Sequence, residues 1–283
     1  MIYDRGTGET YEEKVFQDRW TSFLYSTAVG GLCVMALRLT VVSALYGLGQ
    51  HSSRSRAKIP ALIEEYGIDV TGCDQTYDSF NDFITRKQPT TYDPQPSHLI
   101  SPTDGCLTAR TIEDGTILCV KDRTYSLASF LQDRALAESY EGGYVLILRL
   151  RVYDYHRFCF IDDGRILAHK RIHGFLDSVN TAATGRFTLT SNSRELWKLH
   201  TDNFGEVVAG EVGAMLVGRI VTTHADARFR KGEEKGYFEF GGSTIVLVFK
   251  PGAVRIDDDI LSHSAQGVET RVRLGERIGV RGD

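Results

Sequence analysis

Three long apolar runs in the C-terminal half of the chain constrain its fold more than any other feature. They are Tyr144–Leu150 (YVLILRL), Glu206–Val221 (EVVAGEVGAMLVGRIV) and Tyr237–Phe249 (YFEFGGSTIVLVF). Each is rich in Val, Ile, Leu or aromatic residues, and the two longer ones are broken by glycine. None sustains a helical period, which is the pattern of β-strands. The N-terminal part reads differently. Pro60 suits the first position of a helix over IPALIEEY, and Gly67 suits its end. Asp78 or Ser79 can cap a second helix in FNDFITRK. Pro89, Pro94, Pro96 and Pro102, four of only 6 prolines in the chain, then mark an extended linker. The expected class is α+β: a helical N-terminal region over residues 1–95 and a β-rich domain over 96–283. No internal repeat interrupts this plan.

Between Phe23 and Leu48 the only charged residue is Arg38, and Leu32, Met35, Leu39, Val42 and Tyr46 recur at helical spacing. The length permits a membrane-spanning helix. Arg38 near the middle argues against one, because a charge at the bilayer centre is costly. Two placements remain: a helix lying on a membrane surface, or a buried helix of a soluble domain. The basic cluster His51, Arg54, Arg56 and Lys58 that follows favours the first, where it would touch anionic head groups.

The formal net charge of −4 removes any global electrostatic case for nucleic-acid binding. Cys33, Cys73, Cys106, Cys119 and Cys159 show no CxxC spacing and are odd in number, so neither a disulfide framework nor a paired-cysteine zinc site is expected. The opening MIYDRGTGETYEEK carries Asp4, Glu9, Glu12 and Glu13, unlike a secretory signal with its basic start and apolar core.

Three short motifs could carry chemistry. Gly241-Gly242-Ser243-Thr244 interrupts a strand-like stretch. By itself it is the ordinary grammar of a β-bulge or tight turn, although paired glycines also let another group approach the main chain closely. The hydrolase motif GxSxG is absent. Tyr153-Asp154-Tyr155-His156-Arg157-Phe158-Cys159 follows an apolar strand, and a histidine at a strand end can act as a general base or merely satisfy local hydrogen bonds. Ser101-Pro102-Thr103-Asp104-Gly105 has turn chemistry, and Asp104 could equally be a carboxylate that orients a histidine.

Each motif alone is weak. In this order, SPTDG, DYHRF with DDGRI, NSRE, FGEVVAGEVGAMLVGRI and KGEEKGYFEFGGSTIVLVF together resemble the phosphatidylserine decarboxylases, with the run from Lys231 to Phe249 the most specific part. The resemblance covers nearly the whole chain, FNDFITRK included. It implies a proenzyme that cuts itself between Gly242 and Ser243 by serinolysis. Ser243 is then the nucleophile and becomes a covalent pyruvoyl group, the only cofactor, with no metal. Asp104 and His156 match the family's acid–base residues, and Gly241 supports the strained turn. The pyruvoyl group would form a Schiff base with phosphatidylserine, act as electron sink and release phosphatidylethanolamine. The partners so implied are the lipid substrate, an anionic membrane surface on the cytoplasmic face of the cell membrane, and the large and small subunits of one proenzyme. A homo-oligomer is left open.

One departure matters. Many members of the family carry YHRxH, and here Cys159 takes the second histidine's place. Cys159 is either a proton relay or a small buried residue, the commoner fate of a free cysteine. Asn192 and Arg194 of NSRE could meet the substrate phosphate or carboxylate, or form a surface turn. Two other functions are compatible with the residues: a pyruvoyl-type decarboxylase of a free amino acid, or a non-catalytic membrane-associated scaffold.

Overall fold

The computed structural model describes residues 1–13, 49–73, 76–120, 123–174, 190, 192–213, 219–239 and 243–283. The helix expected over residues 23–48 lies outside them, and so do Gly241 and Gly242.

The chain opens with two short strands, β1 (Ile2–Asp4) and β2 (Glu9–Tyr11). A 3-10 turn (Ser53–Lys58) leads into helix α1 (Ile59–Tyr66), and α2 (Phe80–Ile84) follows. Strands β3 (His98–Ile100), β4 (Gly105–Thr111), β5 (Thr116–Val120) and β6 (Arg123–Ser126) precede two one-turn helices, α3 (Leu127–Leu131) and α4 (Arg134–Glu138). Next come β7 (Tyr144–Leu150), β8 (Arg157–Cys159), β9 (Gly164–Ile172), β10 (Arg194–Thr201), β11 (Gly205–Gly213), β12 (Ile220–Thr222), β13 (Arg228–Phe229) and β14 (Glu234–Phe238). The chain closes with β15 (Ser243–Phe249), β16 (Val254–Ile256), helix α5 (Asp258–Ala265), β17 (Glu269–Val272) and β18 (Arg277–Arg281).

Ten strands form one sheet in the order β13-β9-β10-β11-β15-β7-β4-β17-β1-β2. Its neighbours pair antiparallel except β1 and β17, which run parallel. One face carries Leu146, Leu148, Leu150, Ile245, Leu247, Val207 and Ala209 against Phe158, Phe238, Ile256 and Ile278 of the small sheets β12-β14-β8 and β16-β18-β3. The other face carries Val145, Ile147, Val246, Val248 and Val208 against Leu127, Phe130 and Leu131 of α3. Every residue of β15 is buried, because the sheet is covered on both sides at its centre. That is why STIVLVF reads as a continuous apolar run and not as an alternating one.

The local signals in the N-terminal part act as read. Ser79 Oγ accepts the Asp82 N–H at 3.1 Å and caps α2. Gly67 ends α1 in the left-handed region at φ 59°. The first thirteen residues differ from the expected helical region: they are a hairpin whose first strand pairs with β17 near the other end of the chain. Three-residue strands held by partners more than 250 positions away leave no local periodicity to read. The described structure is therefore α+β and mostly sheet, and none of its helices is long and apolar enough to cross a membrane.

Candidate active site

Ser243 opens β15, where its neighbours across the sheet are Leu150 at the end of β7 and Gly213 at the end of β11. On the far side of β7, Gly105 begins β4 one step beyond the Cys106–Arg149 pair. The residue before it, Asp104, thus lies at the same end of the sheet as Ser243, with the strand starts about 10 Å apart across two strand spacings. Antiparallel pairing explains why motifs far apart in sequence share this end. A Cβ at position 105 would sit 2.8 Å from the Arg149 carbonyl oxygen, so the close packing of β4 on β7 requires glycine in the SPTDG motif.

The Ser243 side chain has 0% exposure, and its Oγ has no hydrogen-bond partner among the described residues. An unsatisfied buried hydroxyl costs about 1–3 kcal/mol, so native folds keep few without a reason.

His156 also has 0% exposure. Its Nδ1 lies 2.9 Å from the Asp154 carbonyl oxygen. A carbonyl can only accept, so Nδ1 carries a proton, and the nitrogen that can exchange one is Nε2. The main chain holds the segment as well: the Phe238 N–H donates to the His156 carbonyl at 3.0 Å. The Asp154 carboxylate accepts from the Arg151 main-chain N–H at 2.7 Å and from its guanidinium at 2.7 and 2.9 Å. Burial works against ionisation of Asp154, but Arg151 outweighs it and holds the carboxyl below its usual range.

The SPTDG loop is stitched to the histidine segment by its threonine. Thr103 Oγ1 lies 3.4 Å from the Tyr155 carbonyl and 3.3 Å from that of Arg157, the two residues flanking His156. The Cys159 N–H donates to the Pro102 carbonyl at 2.9 Å. Asp104 Oδ1 accepts from the Leu274 N–H at 2.8 Å. Burial pushes the Asp104 carboxyl up to about 6, Asp154 adds to the rise, and Leu274, Arg273 and Arg271 oppose it. The orienting contact that sequence assigned to Asp104 is made at Nδ1 by the Asp154 main chain, while Asp104 itself is tied to Leu274. Asp104, Arg151, Asp154, Arg271 and Arg273 line one polar cavity of about 690 Å³ beneath α1 and the 86–91 segment.

Cys159 packs among Leu99, Phe158 and Phe160, and burial pushes its thiol up to about 12. It remains protonated at neutral pH. Arg194 is buried and donates to the carbonyls of Ser129, Phe130, Thr190 and Asn192, which commits its guanidinium to holding loops. Asn192 Nδ2 donates to the Gly213 carbonyl at 2.9 Å, so NSRE fixes the strand end that faces Ser243.

Sequence reading missed a buried ion pair beside the serine. Lys235 Nζ lies 2.5 Å from Glu211 Oε1, and both side chains are almost fully buried. Glu211 pairs with Ile245, two positions from the Gly213–Ser243 pair, so its side chain shares the face of Ser243. Burial pushes the Lys235 ammonium down and the Glu211 carboxyl up. The only sequence signal was a charged residue at an inward position of each strand.

Comparison with known proteins identifies the family. The model of the family described as phosphatidylserine decarboxylase matches residues 80–280. The chain is 40% identical over 288 residues to a phosphatidylserine decarboxylase proenzyme 2 of Clostridium acetobutylicum, covering 100% of this chain and 99% of that one. It is 42% identical over 290 residues to a phosphatidylserine decarboxylase proenzyme of Ruminiclostridium cellulolyticum, covering 99% and 97% of the two chains. A proenzyme of the same name from Clostridium perfringens is 40% identical over 289 residues, with 98% of each chain covered. With these full-length matches added to a strand-end serine, a buried histidine segment and a partly buried aspartate drawn to one end of the sheet, the chain belongs to the phosphatidylserine decarboxylase family.

Proposed function

We propose that this chain cuts itself between Gly242 and Ser243 and then decarboxylates phosphatidylserine with the pyruvoyl group left at position 243. The observation that carries the reading is the buried Ser243 Oγ, without a partner among the described residues, at the sheet end where the Asp104 loop and the His156 segment are stitched together. A hydroxyl not engaged by the described residues is available for attack, which fits the conversion of this residue into a ketone.

The residues divide the work as follows. Ser243 Oγ attacks the Gly242 carbonyl carbon, the C–N bond breaks, and an ester joins the two residues. His156 Nε2 takes the hydroxyl proton, and the freed amine of residue 243 is protonated in turn. Removal of the Ser243 α-proton then breaks the ester C–O bond, leaving a carboxylate on Gly242 and dehydroalanine at 243. Water converts the latter to the ketone and releases ammonia. The two strands flanking β15 hold position 243 in place for these steps. Once formed, the pyruvoyl ketone supplies the electron sink for decarboxylation of an amine substrate. Asp104, raised toward neutrality and at the same end of the sheet, can hold or release a proton in the working pH range. The arginines lining the adjoining cavity offer partners for an anionic head group.

Denaturing electrophoresis tests the cut. The wild-type chain is expected as two pieces, the smaller spanning residues 243–283, and Ser243→Ala as one. A folded wild type that stays whole, or a Ser243→Ala chain that divides, contradicts the reading.

A further inference from the structure

The amino-terminal hairpin makes most of its long-range contacts with residues 257–277, and Tyr11 Oη also accepts from Arg151 Nη1 at 3.1 Å. Arg5 Nε lies 2.7 Å from Asp259 Oδ2, its Nη2 2.9 Å from Asp257 Oδ2, and its Nη1 2.9 Å from Glu276 Oε1. The same Nη1 donates to the Arg277 carbonyl at 2.6 Å. Arg271 Nη1 meets Asp4 Oδ2 at 2.8 Å, and Tyr3 stacks on His263 with ring centroids 3.9 Å apart. Ile2, Tyr3 and Asp4 pair with Glu269, Thr270 and Arg271 in β17. Beyond the hairpin, Glu13 and Glu269 close together on the guanidinium of Arg149.

All these partners except Arg149 and Arg151 lie in residues 243–283, the piece that a cut before Ser243 sets free. Its strands are woven into the rest of the protein: β15 between β11 and β7, β17 between β4 and β1, and β18 against β3. In an uncut chain the hairpin contacts join two ends of one molecule. In a cut chain they join two molecules, and their loss leaves the smaller one held by its strand pairing alone. A single guanidinium forked across three carboxylates is suited to that task, since an ammonium cannot match its geometry.

We infer that residues 2–13 are a clasp that retains the small subunit after self-cleavage, and that its Asp4–Arg271 contact keeps Arg271 at the cavity Asp104 lines. The clasp rests on the self-cleavage reading, and its partner surface is α5, β17 and the turn before β18.

Size-exclusion chromatography of the cut protein in graded urea tests it. The measured quantity is the fraction of the 243–283 piece that still co-elutes with the large subunit. Arg5→Ala is expected to release the piece at lower urea, with a dissociation rate raised on the order of tenfold. Arg5→Lys should fall between Arg5→Ala and the wild type. Equal retention by wild type and Arg5→Ala overturns the clasp. If the wild type runs as one band, self-cleavage is the reading that fails. The full-length Ser243→Ala chain with a protease site inserted after Gly242 then tests the clasp by itself, with the same two outcomes. That chain also serves if Arg5→Ala blocks cutting.

Discussion

The main-chain N–H of Phe238 donates to the carbonyl of His156 at 3.0 Å. Five residues further on, Ser243 pairs with Leu150, six residues before that histidine. Phe238 and Ser243 are therefore both tied to one short stretch of chain, residues 150–156. This restraint keeps the serine and the histidine segment at the same end of the sheet, the proximity on which the proposed proton transfer depends.

The imidazole is the first place to test this. His156→Gln keeps a hydrogen-bonding side chain of similar size but has no basic nitrogen. The rate of appearance of the 243–283 piece should fall roughly 10²- to 10⁴-fold, while circular dichroism stays that of the wild type. Cutting at the wild-type rate would remove His156 from the base role.

Thr103 links the two loops. Thr103→Val preserves shape but withdraws the hydroxyl from the carbonyls of Tyr155 and Arg157. A stability loss of about 1 kcal/mol is expected in denaturant titration, together with slower self-cleavage. A variant that cuts as fast as the wild type shows that the stitch is structural only.

Asp104 has a folded-state value of about 6, above its unfolded value near 3.9. The folded state therefore binds the extra proton between roughly pH 4 and 6, and stability falls as pH rises through that window. Above it the buried charge costs on the order of 2–3 kcal/mol. Asp104→Asn can still accept from the Leu274 N–H, so it should be more stable than wild type at pH 7.5 and nearly equal at pH 3.5. Thermal unfolding at the two pH values measures this. An unchanged difference between the two proteins across the range contradicts it.

The Lys235–Glu211 pair is fully buried, so breaking it on one side leaves an uncompensated charge. Lys235→Met should destabilise by about 3–5 kcal/mol, and the double variant Lys235→Met with Glu211→Met should recover most of the loss. Chemical denaturation of the two single variants and the double variant closes the cycle. Independent, additive losses would show that the two groups do not depend on each other.

Much of this fold was legible because its central strands are covered on both faces. YVLILRL is β7 residue for residue, while the Tyr237–Phe249 run is shared between the end of β14 and the whole of β15. Gly67 and Ser79 ended and capped helices as local chemistry dictates. What escaped was non-local. The strand character of residues 2–11 exists only through β17, and the Lys235–Glu211 contact needs two strands to be brought face to face. The site behaved the same way. Ser243, His156 and Asp104 were identifiable as residue types in a recurring order. That Nδ1 of the histidine would be held by a main-chain carbonyl, and Asp104 by the Leu274 N–H, depends on turns that no short motif encodes.

Intact-mass measurement of the purified small piece tests the central claim most directly. The account predicts a piece spanning residues 243–283, blocked at its N-terminus and lighter than a serine-initiated chain by the mass of one ammonia. A piece that begins with an unmodified serine, or no piece at all, contradicts it.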